Sequence, residues 1–132
     1  MMEMMRLFKR HKLRKTVSLN GQWQFKIDPS KEGVKNEWFK KFPEDSKMTF
    51  VPSCWDNDFG YFDYRGVAWY ATTFSTDVKN INLHFSAVTG QAEVYLDGIH
   101  LGSHYGSFTG FDFLLKDLKP GKHLLVVSID NA

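Results

Sequence analysis

The chain has 132 residues, of which 42% are hydrophobic and 16% aromatic, enough for one buried core and too rich in rings for a disordered segment. Its formal charge is +2, but six of the seventeen basic side chains and one of the fifteen acidic ones fall in residues 1–15. From Thr16 onward eleven basic groups face fourteen acidic ones, which excludes a broad nucleic-acid footprint. Cys54 is the single cysteine, so an intrachain disulfide is excluded; no apolar run approaches membrane-spanning length, and no Asn-x-Ser/Thr acceptor occurs. These features point to the cytoplasm, with neither nucleic acid nor membrane as partner.

Residues 1–15 set Met1, Met4, Met5 and Phe8 among basic residues and are expected as a flexible, solvated arm outside a β-sandwich of residues 16–132. The competing reading is a helix for an anionic partner. Leu19-Asn20-Gly21 is a turn signal, and Gln22-Trp23-Gln24-Phe25-Lys26-Ile27 alternates as a strand with Trp23, Phe25 and Ile27 inward. Val34, Trp38 and Phe42 then stand four apart, which predicts a short amphipathic helix or an aromatic-anchored excursion closed by Pro43. A second strand, Met48-Thr49-Phe50-Val51, ends at Pro52.

The following polar-aromatic stretch, residues 53–66, is expected as a long loop. Asp56, Asp58 and Asp63 suggest carboxylate chemistry or calcium, but the calcium-loop pattern needs Gly sixth and Glu twelfth from Asp56, where Tyr61 and Val67 stand. Turn capping or polar contact to a ligand or neighbouring domain suits these aspartates better. Residues 67–74 read as a strand, and Ile81, Leu83, Phe85 and Ala87 alternate as another.

Asp97-Gly98 between two alternating runs predicts a two-residue hairpin, with Ala92, Val94 and Leu96 facing the core and Glu93 and Tyr95 facing water or a second contact. Residues 102–111 alternate glycine with aromatic residues and are expected as an exposed loop. His100 and His104 would lie about 13 Å apart along an extended chain, too far to share a metal ion. Finally His123-Leu124-Leu125-Val126-Val127-Ser128-Ile129 reads as a central strand, apolar on both faces.

Short strands separated by turn signals make the fold class all-β, a β-sandwich. Leu19-Asn20-Gly21-Gln22-Trp23-Gln24-Phe25, Val51-Pro52-Ser53 with its aromatic-acidic loop, Gly66-Val67-Ala68-Trp69-Tyr70, Phe85-Ser86-Ala87-Val88, Val94-Tyr95-Leu96-Asp97-Gly98 and residues 102–111 follow one another in an order that resembles the N-terminal sugar-binding domain of glycoside hydrolase family 2. The likeness is greater to β-glucuronidases than to β-galactosidases. It departs at Ser107, where family members often carry the second glycine of a pair.

That resemblance implies a jelly roll of the galactose-binding type beside immunoglobulin-like and TIM-barrel domains, with carbohydrate as the whole enzyme's substrate and no cofactor or metal. Retaining glycosidases need two carboxylates about 5 to 5.5 Å apart. In this family both lie in the barrel, so no catalytic residue is carried onto this chain. The resemblance further implies that the jelly roll continues past residue 132, which predicts an uncovered edge and a homo-oligomer. Trp55, Asp56, Asn57, Asp58, His104 and Tyr105 are its candidate sugar or interdomain contacts. The alternative is a stand-alone carbohydrate-binding module that stacks sugars on Trp55, Tyr61, Tyr64, Tyr105 and Phe108, rings that core and interface packing would also occupy.

Overall fold

The computed structural model describes residues 5–9, 16–19, 21–51, 66–85, 88–107 and 111–130. Ten strands form among them: β1 (Met5–Lys9), β2 (Thr16–Ser18), β3 (Gly21–Asp28), β4 (Lys47–Val51), β5 (Val67–Thr76), β6 (Ile81–Phe85), β7 (Val88–Leu96), β8 (Ile99–Ser107), β9 (Phe111–Leu115) and β10 (Gly121–Asp130). They pair in two antiparallel sheets, β2-β1-β6-β9 and β4-β3-β5-β10-β7-β8. This is the all-β sandwich expected from the alternation.

Each alternating run sends one row of side chains between the sheets. Trp23 and Phe25 from β3, Val94 and Leu96 from β7, and Leu125 and Val127 from β10 meet Ile81, Leu83 and Phe85 from β6 in one buried cluster. Burying such side chains is worth about 1.5–3 kcal/mol each, which makes this layer the main stabilising term. The hairpin that closes β7 onto β8 turns through Asp97 at φ 50° and Gly98 at φ 82°, the paired positive angles that match the right-handed strand twist.

Three expectations need correction. Met5–Lys9, inside the expected solvated arm, is instead β1, paired with both β2 and β6, and its register sets Leu7 opposite Leu83. Basic residues hide a strand whose pairing comes from distant backbone. Residues 102–107, expected as loop, belong to β8, because the ladder with β7 supplies partners despite the glycines. The amphipathic helix over 28–42 does not form. Glu37 sits at φ 56°, and the segment is a chain of turns in which Asn36 N donates to Glu32 O and Trp38 N to Gly33 O. The other reading, an aromatic-anchored excursion, describes it. Trp38 and Phe42 are buried as the spacing required, whereas Val34 is exposed.

The excursion lies on the face of the six-stranded sheet that points away from the sandwich. There Trp38 and Phe42 join Trp69, Ala71, Tyr95 and Val126 in a second buried cluster. Both faces of β5, β7 and β10 are therefore apolar over part of their length. Among the described residues no helix is long and apolar enough to cross a membrane.

Candidate functional site

Trp55, Asp56, Asn57 and Asp58 lie outside the described residues, as do Tyr61, Tyr64 and Phe108. His104 and Tyr105 fall on β8 and, as neighbours on a strand, point to opposite faces. His104 stands opposite buried Ala92 and stacks on Phe111 with ring centroids 4.2 Å apart, so it packs at the rim of the inner core. Tyr105 stands opposite Gln91 and is 75% exposed, on the outer face of the six-stranded sheet. The structure separates these two candidates: His104 is partly buried against Phe111, and Tyr105 is exposed.

Pairing registers turn that outer face into transverse rows. One row runs Asp28, Val67, Asp130, Gln91, Tyr105; the next runs Lys26, Trp69, Ser128, Glu93, Ser103. Where the excursion crosses, rings cover the sheet: Trp38 meets Trp69 edge-on at 5.8 Å, and Phe39 stacks on Tyr95 at 4.7 Å. Lys26 ties the returning chain, its Nζ 2.9 Å from Asp45 Oδ2 and 5.7 Å from the Trp38 ring centre.

Asp28 sets where the excursion begins. It is 2% exposed; its Oδ1 accepts from Glu32 N at 2.8 Å, and its Oδ2 from Gly33 N at 2.9 Å and Trp69 Nε1 at 3.0 Å. A buried carboxylate is tolerated because three donors satisfy it. Gly33 has to be glycine, since a Cβ there would stand 2.5 Å from Trp69 Cε2.

Beside this anchor the outer face is left open as a pocket of about 230 Å³. Trp69, Val67 and Ser128 line it from the sheet, Lys31 and Val34 from the excursion, and Gln91 and Glu93 from β7. Ser128, on β10, is buried at 6% exposure. The β7 wall is held in place: Gln91 Nε2 donates to Glu93 Oε2 at 2.9 Å, and His100 Nε2 lies 2.8 Å from Glu93 Oε1. Burial, and secondarily the Glu93 charge, pushes the Tyr95 phenol above its ordinary range, so it stays neutral next to this wall.

A second polar cluster sits at the hairpin turn. His123 is 5% exposed, with Nδ1 2.6 Å from Asp97 Oδ2 and Nε2 2.8 Å from Lys119 O. Asp97 Oδ1 also accepts from Leu124 N at 2.8 Å. The hydrogen bond to Asp97 raises the His123 pKa above its ordinary value, against the opposing effect of burial. Two acceptors facing one imidazole are both satisfied only by the doubly protonated ring.

Sequence reading missed Asp28, Gln91, Glu93 and Ser128. A usable signal was present for Ser128, the one hydroxyl interrupting the apolar run from Leu124 to Ile129. Asp28 gave none, because an aspartate before Pro29 reads as an ordinary turn.

No family model matches the chain. It is 33% identical over 126 residues to a β-glucuronidase of Streptococcus agalactiae, an alignment covering 89% of this chain and 20% of that protein. It is 27% identical over 139 residues to a β-galactosidase of Thermoanaerobacterium thermosulfurigenes, covering 91% of this chain and 18% of the relative. Its fold superposes on the crystal structure of Ruminococcus gnavus β-glucuronidase with a TM-score of 0.82 and 31% identity, over 92% of this chain and 22% of that one. The chain thus spans about a fifth of the length of the proteins it matches.

Proposed function

Since this chain belongs to the N-terminal β-sandwich domains of glycoside hydrolase family 2, we propose that it is the non-catalytic scaffold of a β-glycosidase. In this reading it positions immunoglobulin-like and TIM-barrel domains, contributes contacts between copies in a homo-oligomer, and works in the cytoplasm. Residues 53–66, with Trp55, Asp56, Asn57 and Asp58, form part of the rim of the sugar site. The observation that carries the proposal is the match of nearly the whole chain, at high structural similarity, to about a fifth of enzymes named for β-glycoside hydrolysis.

The division of labour follows from chemistry. Glycosidic hydrolysis needs a matched carboxylate pair held rigidly across the scissile bond, and the residues of this chain that resemble family members are those of the sandwich. The test compares the 132-residue chain with the longest polypeptide encoded by its reading frame, on aryl β-glucuronides and β-galactosides. The expected result is no turnover by the chain alone and hydrolysis by the longer polypeptide, lost or destabilised when the sandwich is deleted. Hydrolysis by the chain alone, or full activity without it, would overturn the proposal.

A further inference from the structure

We infer that the Asp97-Gly98 bond, at the turn between β7 and β8, is a site of spontaneous covalent modification, and that His123 is the positioning residue that holds it unreacted. The modification is isomerisation to isoaspartate through a succinimide, a property of the chain itself that goes beyond any scaffold role. Glycine after aspartate leaves the next amide nitrogen unhindered by a Cβ, so that nitrogen can reach the aspartyl carboxyl. Asp97-Gly98 is the one Asp-Gly pair in the sequence.

The step balances with water alone. Gly98 N bonds to Asp97 Cγ, and one carboxyl oxygen leaves as water with the amide proton and a proton from solvent. Water then opens the five-membered imide at either carbonyl, which restores aspartate or leaves the chain linked through Cβ and Cγ. The second product adds a carbon to the backbone of a two-residue turn. The Leu96 and Ile99 pair that flanks the turn should then lose its register.

The fold supplies the restraint. Asp97 Oδ1 accepts from Leu124 N at 2.8 Å, Oδ2 lies 2.6 Å from His123 Nδ1, and the Asp97 N–H donates to Leu124 O at 2.9 Å. Ring closure removes one carboxylate oxygen and turns the other into an uncharged imide carbonyl, so both of these charge-assisted bonds are weakened or lost on the way. Outside the turn, a Cβ at Gly98 would stand 3.0 Å from Lys40 Cγ, so the excursion also packs against it. The clamp is releasable, because the Asp97 side chain is 43% exposed and water reaches it.

The experiment follows isoaspartate at position 97 by peptide mapping and fragment mass spectrometry during incubation at physiological temperature and neutral pH. It compares the folded 132-residue chain, a synthetic peptide of residues 93–101, and the variants His123→Leu, His123→Gln and Leu125→Ala. The peptide should isomerise steadily, and the folded chain at least about tenfold more slowly, as for a bond that reacts only in local openings. His123→Leu should isomerise roughly three- to tenfold faster than the parent, the value of one hydrogen bond. His123→Gln replaces a charged donor by a neutral amide and should fall between them. Leu125→Ala weakens the core without touching the clamp and should stay close to the parent rate. A peptide that does not isomerise overturns the inference, as does a folded chain that reacts as fast as the peptide, or His123→Leu at the parent rate. Acceleration by Leu125→Ala equal to that by His123→Leu also overturns it, since the rate would then follow general stability. Where His123→Leu does not fold, a His123→Gln rate equal to the parent's removes the role of His123. None of these readouts involves glycoside hydrolysis, so the modification site and the scaffold reading stand or fall separately.

Discussion

The two apolar clusters of this domain are built by different means. The inner one lies between two sheets and is assembled from strands whose side chains alternate with period two, so each contributes its row automatically once the sheets form. The outer one lies between a sheet and a chain of turns with no repeating period, and it depends on particular anchors: Asp28, Gly33 and the packed rings of Trp38, Phe39, Trp69 and Tyr95. The inner cluster holds the fold together, and the outer one shapes the open pocket at its edge. Damage to the first should therefore be global, and damage to the second local.

The strongest test of that contrast is Leu125→Ala, at a fully buried position of β10. It should cost about 3 kcal/mol, the usual cost of a Leu-to-Ala cavity, and lower the denaturation midpoint of both regions together. The Trp38 and Trp69 indole NMR resonances, reporting on the outer cluster, and far-UV circular dichroism, reporting on the sheets, should shift in parallel. Separate transitions in this variant would mean that the outer cluster persists without the sandwich.

Asp28→Asn should act next most strongly, at about 2 kcal/mol, because either orientation of the amide turns an NH₂ toward backbone or indole N–H groups that need an acceptor. The loss should appear as faster hydrogen exchange at the Asn36 and Trp38 amides, with the β5–β10 ladder still protected. Equal loss of protection in that ladder would abolish the distinction between the regions. Gly33→Ala should follow at about 1 to 2 kcal/mol, since Trp69 has to move away from the added methyl. The same exchange experiment applies, and an unperturbed Trp69 indole resonance would contradict the packing described.

This difference in construction also explains what was legible in the sequence. Trp23 and Phe25, the Ile81–Phe85 alternation and the Asp97-Gly98 turn announce themselves because strand period and turn chemistry are local signals. The hidden strand Met5–Lys9 is less visible, as its order comes from pairing with β6, where Lys9 meets Ile81 and Met5 meets Phe85, residues far apart in sequence and joined only in space. The pocket was illegible for the same reason. Its walls come from β5, β7, β10 and the excursion, and no spacing rule links Lys31 to Gln91 or Ser128. His104, in a conspicuous motif, stacks against Phe111 at the edge of the core, a contact that no spacing in the sequence announces.

The smallest expected effect separates the regions by pH. His123 and Asp97 close the hairpin end of the inner core, where the Phe74 ring lies 5.6 Å from the imidazole, and the network reaches the outer cluster through Leu124. The folded His123 pKa is raised above the model-peptide value of 6.5. A raised pKa means that the folded state holds the proton more tightly than the unfolded one, so the stabilisation is fully present below about pH 6.5 and is lost as pH rises through the folded value. Neutralisation leaves one ring nitrogen without a proton to donate, and either Asp97 or Lys119 O loses its partner. Stability of the whole chain should therefore decline modestly on going from pH 6 toward pH 9, and His123→Asn should flatten that dependence. The Asn36 and Trp38 amides should keep their protection relative to the global value throughout. A decline confined to the outer cluster, or an identical slope in His123→Asn, would show that the doubly bonded imidazolium is not what fastens the turn to β10.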